Sequence, residues 1–284
     1  MAKDTIFSTK TTLNLRGNPV DISTPIVTGI LNITPDSFHQ ESRIKSDNSL
    51  LHKAEKMLSE GATILDIGGY SSRPGANDIS IEEELKRVIP TIEKLIGTFP
   101  KAYLSIDTFR SEVAQAALEI GVCMVNDISG GTLDNNMFEV LAKHRAAYVL
   151  MHIRGTPQTM STMTRYDDVL TEVMDFFIDR TNKLKALGVA DIVIDPGFGF
   201  AKTIDQSYEI LKNLQYFQQL NLPLLAGISR KSMIYKSLDI SPDQALNGTT
   251  VLNTIALMNG AQILRVHDVK EATETIKLHK AASS

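Results

Sequence analysis

The sequence lacks several features that would place it in a specialised class of protein. It has one cysteine, Cys123, among 284 residues, so no disulfide can form within the chain and a reducing compartment is expected. The first residues contain no apolar core of the kind that a signal peptide has, and the longest apolar stretches are short and interrupted by Asn, Thr or Gly. We therefore expect a cytoplasmic chain that does not span a membrane.

The sequence also has no large excess of either charge, since its 29 Lys and Arg residues nearly balance its 33 Asp and Glu residues and the net charge is −4. This balance gives no electrostatic reason to expect a nucleic acid or an anionic membrane as a partner. The sequence also has no GxGxxG turn, no HExxH, no Cys/His zinc spacing and no GxSxG elbow, and segment 197–203, GFGFAKT, fails the spacing of a P-loop. These absences argue against dinucleotide-dependent enzymes, zinc enzymes, P-loop NTPases and serine hydrolases.

Short apolar runs rich in Val, Ile and Leu recur along the chain, and each is followed by a polar loop and a stretch with helical spacing. The runs are 26–31, 62–67, 102–106, 122–126, 146–151, 190–194, 222–228 and 261–266. Clear helical stretches are 48–60, 80–97, 166–187 and 205–220. Such runs are typical of parallel strands buried on both faces. Eight units predict an α/β protein with a (β/α)8 TIM barrel, and an open doubly wound sheet is the alternative.

Helix ends support this division of the chain. Glycines stand just before four of the runs, where a helix-ending glycine belongs, and they are Gly61, Gly121, Gly188 and Gly260. Ser80 and Glu83 have the spacing of a capping box, which predicts the start of the second long helix.

The segment TLNLRGNPVDI precedes the first run and predicts a β-hairpin that turns at Gly17-Asn18. We expect this hairpin to close the bottom of the barrel. The chain carries no linker-like segment, so we expect one domain over 1–284, with the N-terminal hairpin in 1–24 and the barrel in 25–284.

Each of the eight runs ends in or is followed by a polar or ionisable group, whereas the opposite ends are small or apolar. These groups include Asn32, Asp66, Asp107, Asn126, His152, Asp195, Lys231 and Arg265. Because the loops after the strands build the active site of a TIM barrel, these side chains are expected to surround one mouth. Buried charges are costly unless they serve a partner or ligand, so we infer a ligand with both polar donors and anionic groups.

The cations at this mouth predict an anion site. They are Arg73, Lys231, Arg265 and His267. The sequence Ser-Arg-Lys-Ser at 229–232 is expected to open a helix, whose N-terminal amides favour an anion. The alternative is that the cations only pair with Asp66, Asp107 and Asp195.

The other half of the mouth has groups that can recognise a planar heterocycle by hydrogen bonds. A carboxylate accepts two parallel N–H bonds from an amidine-like edge, and Asp107 and Asp195 are candidates for that contact. Asn126 adds both a donor and an acceptor. A sugar-phosphate barrel enzyme, a further possibility, has no need of this set.

Eight ordered segments that cover nearly the whole chain resemble the motifs of the dihydropteroate synthase family. They are GILNITPDSF (29–38), DIGGYSSRPGA (66–76), SIDT (105–108), NDISGG (126–131), MHIRGTPQTM (151–160), DPGFGFAKT (195–203), GISRKSM (227–233) and LNGTTVLNTIALMNGAQILRVHDV (246–269). The resemblance implies the condensation of 6-hydroxymethyl-7,8-dihydropterin diphosphate with 4-aminobenzoate, which yields 7,8-dihydropteroate and pyrophosphate by an SN1-like path. It also implies Mg²⁺ as cofactor and a homodimer.

The resemblance further implies roles for individual residues, motif by motif. The expected pterin contacts are Asp107, Asn126, Met151, Asp195, Lys231 and Arg265. The expected diphosphate contacts are Asn32, Ser72, Arg73, Arg265 and His267, with Asn32 also next to Mg²⁺. The expected 4-aminobenzoate contacts are Ser72, Phe38, Phe200 and Ser232. The residues expected to act in catalysis are Arg73, Lys231, Arg265 and His267.

The chain departs from the family pattern at three places. Tyr70-Ser71-Ser72 stands where Glu-Ser-Thr is frequent, the first loop reads SFHQESR over 37–43 instead of being rich in glycine, and Ala201 replaces a frequent glycine. Two other functions stay open at this point. One is a pterin-dependent methyltransferase that acts with a corrinoid protein, and the other is a catalytically silent paralogue that binds pterin.

Overall fold

The computed structural model describes residues 10–33, 43–72 and 78–283. Eight of its strands form one parallel sheet. They are β3 (Ile26–Asn32), β4 (Ile64–Gly68), β5 (Tyr103–Asp107), β6 (Met124–Asp127), β7 (Ala147–Met151), β8 (Ile192–Asp195), β9 (Leu225–Ala226) and β10 (Ile263–Val266). The first and the last of these strands, β3 and β10, are paired with each other, and a bridge between Ile194 and Leu224 joins β8 to β9. The sheet is therefore a closed barrel, which confirms the predicted TIM barrel.

Helices alternate with these strands in the described part of the chain. They are α1 (Arg43–Ser59), α2 (Ile81–Thr98), α3 (Ser111–Glu119), α4 (Met137–His144), α5 (Val169–Ala186), α6 (Ile204–Lys212), α7 (Ser232–Tyr235), α8 (Leu246–Met258) and α9 (Val269–Ser283). As predicted, the Ser80 side chain caps α2 by accepting a hydrogen bond from the amide of Glu83. None of the helices in the described ranges combines the length and the apolar character needed to cross a bilayer.

Two of the predicted elements are shorter than the sequence pattern suggested. The predicted strand over 222–228 has regular pairing only at Leu225–Ala226. The predicted helix over 205–220 ends as an α-helix at Lys212 and continues as a 3₁₀ segment, Leu214–Leu220. Apolar spacing does not distinguish an α-turn from a 3₁₀ turn, since both present their apolar side chains to the same core.

Side chains alternate between two cores, as the period of two along a strand requires. The outward side chains pack with the helices, as Leu65 on β4 and Val125 on β6 do. The inward side chains form a smaller core inside the barrel, which includes Ile64, Met124 and Ile263. Thr28 and Ser105 are small polar residues at inward positions in the middle of β3 and β5, whereas the ionisable inward residues stand near the carboxyl ends of the strands.

The N-terminal hairpin consists of β1 (Thr12–Leu15) and β2 (Asn18–Asp21). Its side chains Leu13, Leu15 and Ile22 are fully buried against the inner core of the barrel, which confirms that the hairpin closes the bottom. The predicted turn at Gly17-Asn18 is wrong by one residue. The turn residues are Arg16 and Gly17, with φ of 56° and 79°, because Asn18 already pairs with Leu15 in the ladder.

Candidate active site

Five residues of the mouth lie at inward positions near the carboxyl ends of the strands. Each of the five follows an inner-core residue on the same strand by two positions, which puts it on the same face. These pairs are Ile64 and Asp66, Met124 and Asn126, Val149 and Met151, Val193 and Asp195, and Ile263 and Arg265. On β5, Asp107 is paired in register with Asn126 of β6. The barrel thus brings residues that are far apart in sequence to one mouth.

Arg265 is the centre of a buried polar network at this mouth. Its Nε donates to Asp66 Oδ2 at 2.6 Å and its Nη2 donates to Asp107 Oδ2 at 2.5 Å. Asn126 Nδ2 also donates to Asp66 Oδ2, at 2.8 Å. The alternative interpretation, in which the cations pair with carboxylates of the chain, therefore holds for Arg265. The pairing fixes the guanidinium within the mouth, and it raises the pKa of Arg265 against the effect of burial.

The carboxylates of the mouth lie in surroundings that disfavour their charge. Burial, with a smaller contribution from the charge of Asp66, raises the pKa of Asp107 to about 7, although Arg265 opposes the shift. Burial also raises the pKa of Asp195, against the attraction of Lys231. A ligand that donates N–H groups to these oxygens would stabilise their ionised form.

Lys231 lies at the mouth beside Asp195. A Cβ placed on Gly227 would lie 3.5 Å from Asp195 Oδ2 and 3.8 Å from Lys231 Nζ, so the two charged groups face the same small space. Lys231 Nζ donates to the carbonyl of Phe198 at 2.7 Å and lies 4.6 Å from the ring centroid of Phe200. Burial lowers the pKa of Lys231 to about 8, against the opposing attraction of Asp195.

The helix that was expected to bind an anion through its N-terminus is only four residues long, Ser232–Tyr235. A helix of this length sums few peptide dipoles, so it contributes little to an anion site. Arg230 also turns away from the mouth and forms two hydrogen bonds of 2.8 Å with Asp268. The cations near the mouth are therefore side chains from different strand ends, and not one helix terminus.

His267 follows β10 and lies beside Ser229. Its Nδ1 is 3.0 Å from Ser229 Oγ, and its main-chain N–H donates to the same oxygen at 3.2 Å. Burial, and after it the positive charge of Arg265, lowers the pKa of His267 to about 4. The imidazole is therefore neutral near pH 7 in this arrangement, since its pKa lies well below that value.

An apolar wall adjoins the charged groups. Met151 is buried in a small cluster with Ile128, Ile153, Met160 and Ala201, and Phe109 and Phe200 pack against this cluster. Phe200 is partly exposed. An aromatic ligand would find flat apolar surface here, next to the cation of Lys231.

Two hydroxyl groups stand at the edge of the mouth. Ser232 Oγ lies 4.0 Å from where a Cβ on Gly199 would be, which places this hydroxyl next to the segment that carries Phe200. Ser72 is half-buried and follows β4 by four residues. Phe38 and Arg73 lie outside the described residues, as does most of the first loop that departs from the family pattern.

Asn32 ends β3 at an exposed position beside Gly68. A Cβ on Gly68 would lie 3.1 Å from Asn32 Oδ1 and 3.7 Å from Asp107 Cβ, so the amide oxygen faces the mouth. The described residues contain no group of three His, Cys, Asp or Glu side chains that would hold a metal alone. One amide oxygen suits Mg²⁺, which usually takes few protein ligands together with substrate phosphates and water.

Two features of the site were not assigned a role from the sequence. Asp66 was named only as one of three carboxylates with which the cations as a group could pair; its place two residues after Ile64 on the inward face was the signal for a specific role beside Arg265. His152 was also recognised at a strand end, yet its Nδ1 lies 2.9 Å from Lys202 Nζ, a residue to which the pattern gave no role. No sequence signal predicted that contact.

Residues 28–267 match the family described as "Pterin binding enzyme". The dihydropteroate synthase of Escherichia coli strain K12 is 41% identical over 271 residues, which are 95% of each chain.

Solved structures agree with these relatives. The crystal structure of the Yersinia pestis dihydropteroate synthase with a sulfonamide drug complex has a TM-score of 0.89 and 40% identity, and covers 96% of this chain and 99% of that one. The Xanthomonas albilineans dihydropteroate synthase in complex with 7,8-dihydropteroate has a TM-score of 0.85 and 32% identity, and covers 97% and 99%. These relatives favour the synthase over the corrinoid-linked methyltransferase.

Proposed function

This chain belongs to the dihydropteroate synthase family of pterin-binding enzymes, and on that premise we propose how its barrel mouth carries out the family's reaction. The enzyme is a transferase of folate biosynthesis that moves an alkyl group other than methyl. It condenses 6-hydroxymethyl-7,8-dihydropterin diphosphate with 4-aminobenzoate and releases 7,8-dihydropteroate and pyrophosphate. The observation that carries the assignment is the set of Asp107, Asn126, Asp195, Lys231 and Arg265 around one mouth.

The pterin binds between the carboxylates and the apolar wall. Asp195 and Asp107 accept N–H groups of the pterin edge, and Asn126 offers a donor and an acceptor. Lys231, held beside Asp195, donates to a ring heteroatom or carbonyl oxygen. Met151 packs against the ring from the apolar side. This arrangement accounts for why buried carboxylates are kept at the mouth, since each pairs with a donor of the ligand.

The diphosphate lies at the side of the mouth where the cations stand. Arg265 and His267 of β10 and its loop bind its oxygens, together with Arg73 and the hydroxyl of Ser72. Asn32 Oδ1 would hold Mg²⁺ jointly with the diphosphate oxygens, and the metal would neutralise charge on the leaving group. Arg265 needs little reorganisation, because Asp66 and Asp107 already fix its guanidinium.

The second substrate, 4-aminobenzoate, lies over the segment that carries Phe200. Its benzene ring packs on Phe200 and Phe38, and its carboxylate accepts hydrogen bonds from the hydroxyls of Ser232 and Ser72. The aniline nitrogen is a nucleophile at neutral pH, so the chain needs no dedicated general base for this step. Excluding water from this place matters, because water would trap the same electrophilic carbon.

The bond changes follow a dissociative path. The C–O bond between the pterin methylene and the diphosphate breaks, and both electrons leave with the diphosphate oxygen. The pterin ring shares the positive charge that develops on the methylene. The amine lone pair then forms the C–N bond, and the nitrogen loses one proton to solvent. Arg265 and His267 stabilise the charge that develops on the leaving diphosphate.

Positional isotope exchange tests this path directly. The substrate is labelled with ¹⁸O at the oxygen that joins the methylene to the diphosphate, and wild-type enzyme is added with Mg²⁺ but without amine. We expect the label to move into non-bridging positions, because the C–O bond breaks and re-forms without the nucleophile. Turnover with amine but no exchange in its absence would show that the amine takes part in bond cleavage.

A homodimer is proposed on the basis of exposed apolar side chains on α8 and the helix packed beside it. Val251 and Met258 of α8 are 49% and 71% exposed, and Leu278 of α9 is 72% exposed. Val251 and Met258 are two turns apart and therefore share a face of α8, and exposed apolar side chains that group on one face mark an interaction surface. Light scattering after gel filtration tests the assembly, and a Met258→Asp variant is expected to shift a dimer towards monomer.

We also propose a cytoplasmic location, which suits the unpaired, buried thiol of Cys123.

A further inference from the structure

Lys202 is a buried cation whose hydrogen-bond partners carry no charge. Its side chain is nearly inaccessible, at 7% exposure of the residue. Its Nζ donates to the carbonyl oxygens of Phe200 at 3.0 Å, Gly197 at 3.2 Å and His152 at 3.3 Å. It also lies 2.9 Å from His152 Nδ1. An apolar side chain would fill this space without the desolvation cost of an ammonium group, so the four contacts indicate a positional role.

The groups that face Lys202 come from three strand ends. Burial lowers the pKa of Lys202 to about 7; Asp195 raises it, and the cations of Lys231 and Arg154 lower it. Burial and the charge of Lys202 hold the pKa of His152 well below its usual value, so its ring is neutral. A neutral ring with Nδ1 unprotonated accepts a hydrogen bond from Lys202, whose three N–H groups are then shared among four acceptors.

Lys202 joins the end of β7 to the segment Gly197–Phe200 that follows β8. The segment runs so close to β7 that a Cβ on Gly197 would lie 2.2 Å from the carbonyl oxygen of His152. Gly197 also has φ of 72°, which L side chains rarely adopt. The backbone therefore brings the carbonyls of Gly197 and His152 together around one ammonium group.

The other side of the same segment contacts Lys231. The carbonyl of Phe198 accepts from Lys231 Nζ at 2.7 Å, and the ring of Phe200 lies 4.6 Å from that nitrogen. Asp195 is tied to the segment as well, because its Oδ1 accepts from the amide of Gly197 at 2.7 Å. The segment thus lies between two lysines, one beneath it and one in the mouth.

We propose that Lys202 is a positioning residue that holds the segment Gly197–Phe200 from beneath, so that Phe200 and Lys231 keep their places in the active site. The effect on substrates rests on the proposed function, in which Phe200 contacts 4-aminobenzoate and Lys231 contacts the pterin. The effect on the segment itself rests only on the contacts of Lys202. The two can therefore be measured apart.

Lys202→Met tests the proposal, because methionine keeps most of the volume and loses the hydrogen bonds. Thr181→Val is the matched control; it removes another buried donor, the hydroxyl that bonds Phe177 O at 2.6 Å in α5, away from the mouth. Hydrogen exchange by mass spectrometry is compared for peptides that cover 195–203 and 228–236. We expect faster exchange in both peptides for Lys202→Met and in neither for Thr181→Val. Unchanged exchange, or a uniform increase across the barrel, would overturn the proposal.

Steady-state kinetics supplies the second measurement. Displacement of a positioning contact by about 1 Å costs on the order of 100-fold in rate, so kcat/KM for 4-aminobenzoate should fall by about that factor in Lys202→Met. Full turnover by Lys202→Met beside an active wild type would overturn the proposal. If the wild type shows no turnover but Lys202→Met still exchanges faster in the two peptides, the positioning role of Lys202 is upheld and the proposed function is contradicted.

His152→Leu keeps the proposal testable if Lys202→Met does not fold. It removes the ring nitrogen and retains the main-chain carbonyl, so Lys202 keeps three of its four contacts. The leucine still packs against Phe176, whose ring centroid lies 5.0 Å from that of His152. We expect a smaller increase in exchange in the same two peptides. No change in either peptide would overturn the positioning role.

Discussion

Arg265 on β10 donates a 2.6 Å hydrogen bond from Nε to Asp66 Oδ2 on β4, across the intervening strand β3. The same guanidinium also donates to Asp107 on β5. One side chain on the last strand of the barrel therefore bonds two of its early strands, β4 and β5. Asp66 is 1% exposed, so its carboxylate has little access to water as an alternative partner, whereas the side chain of Arg265 is 18% exposed. The network therefore bears on the stability of the barrel and on the geometry of the anion site at once.

The stability of the barrel should depend strongly on Arg265. Arg265→Met leaves Asp66 and Asp107 as uncompensated buried carboxylates, and removal of one partner of a buried pair costs about 3–5 kcal/mol. Urea unfolding at mildly alkaline pH measures this loss. The double variant Arg265→Met/Asp66→Asn should recover part of it, because one buried charge is gone. A loss below about 1 kcal/mol, typical of an exposed pair, would contradict the account.

The same variant has a defined pH dependence. Burial already raises the pKa of Asp107 to about 7 in the presence of Arg265, and without this cation the pKa rises further. A carboxyl with a raised folded-state pKa binds more protons when folded, so its destabilising effect is greatest at high pH and fades as the pH falls below the folded pKa. The difference in unfolding free energy between wild type and Arg265→Met should therefore shrink towards acid pH. A constant difference would contradict the assignment of the lost stability to buried carboxylates.

Pterin affinity should depend on the charge of Asp195. Asp195→Asn replaces one acceptor oxygen by a donor, and a hydrogen bond to a charged group contributes about 1.5–3 kcal/mol, equivalent to about 10- to 150-fold in affinity. Calorimetric titration with the pterin diphosphate measures the loss.

Asp127→Asn is the matched control for Asp195→Asn. Asp127 is equally buried at a strand end, but its carboxylate accepts from the amides of Ser129 and Gly131 and from the hydroxyl of Tyr148. This variant should lose stability and keep its pterin affinity. Equal losses of affinity in both variants would mean that Asp195 acts only through the fold.

His267 should take up a proton when the diphosphate binds. Burial and Arg265 lower its pKa to about 4 in the protein alone, and a neighbouring anion favours the charged ring. The ring pKa should therefore rise on addition of pyrophosphate, as followed by ¹⁵N chemical shifts. Proton uptake on binding means that pyrophosphate affinity increases as the pH falls between the free and bound pKa values. His267→Gln should lose this part of the pH dependence, and an unshifted pKa with bound pyrophosphate would remove His267 from the anion site.

Asn32 should govern the Mg²⁺ requirement. Asn32→Ala removes the amide oxygen at the mouth, and loss of a metal-adjacent contact typically costs about 10- to 100-fold in metal affinity. The Mg²⁺ concentration for half-maximal turnover should rise by about that factor, while kcat at saturating Mg²⁺ falls less. An unchanged Mg²⁺ dependence would show that the metal lies elsewhere.

Much of the site is determined by the period of the strands. Strand-end carboxylates and cations such as Asp107, Asp195 and Arg265 were predictable, because parallel strands end at one mouth and alternate residues share a face. The specific partners of Arg265 were not, since Asp66, Asp107 and Asp195 were all candidates and its contacts with the first two depend on the tilt of the strands. Lys202 was not predictable either, because a lysine after a strand is usually solvated and only the fold of its loop buries it. The turn at Arg16-Gly17 was missed by one residue because Arg16 adopts a positive φ.

The most direct test of the central claim is a turnover measurement with wild-type protein, 6-hydroxymethyl-7,8-dihydropterin diphosphate, 4-aminobenzoate and Mg²⁺, in which pyrophosphate and 7,8-dihydropteroate are followed together. The account predicts that the two products appear in equal amounts and that both stop when a chelator removes the metal. Binding of the pterin diphosphate without release of either product would contradict the assignment of this barrel mouth as the site of the condensation.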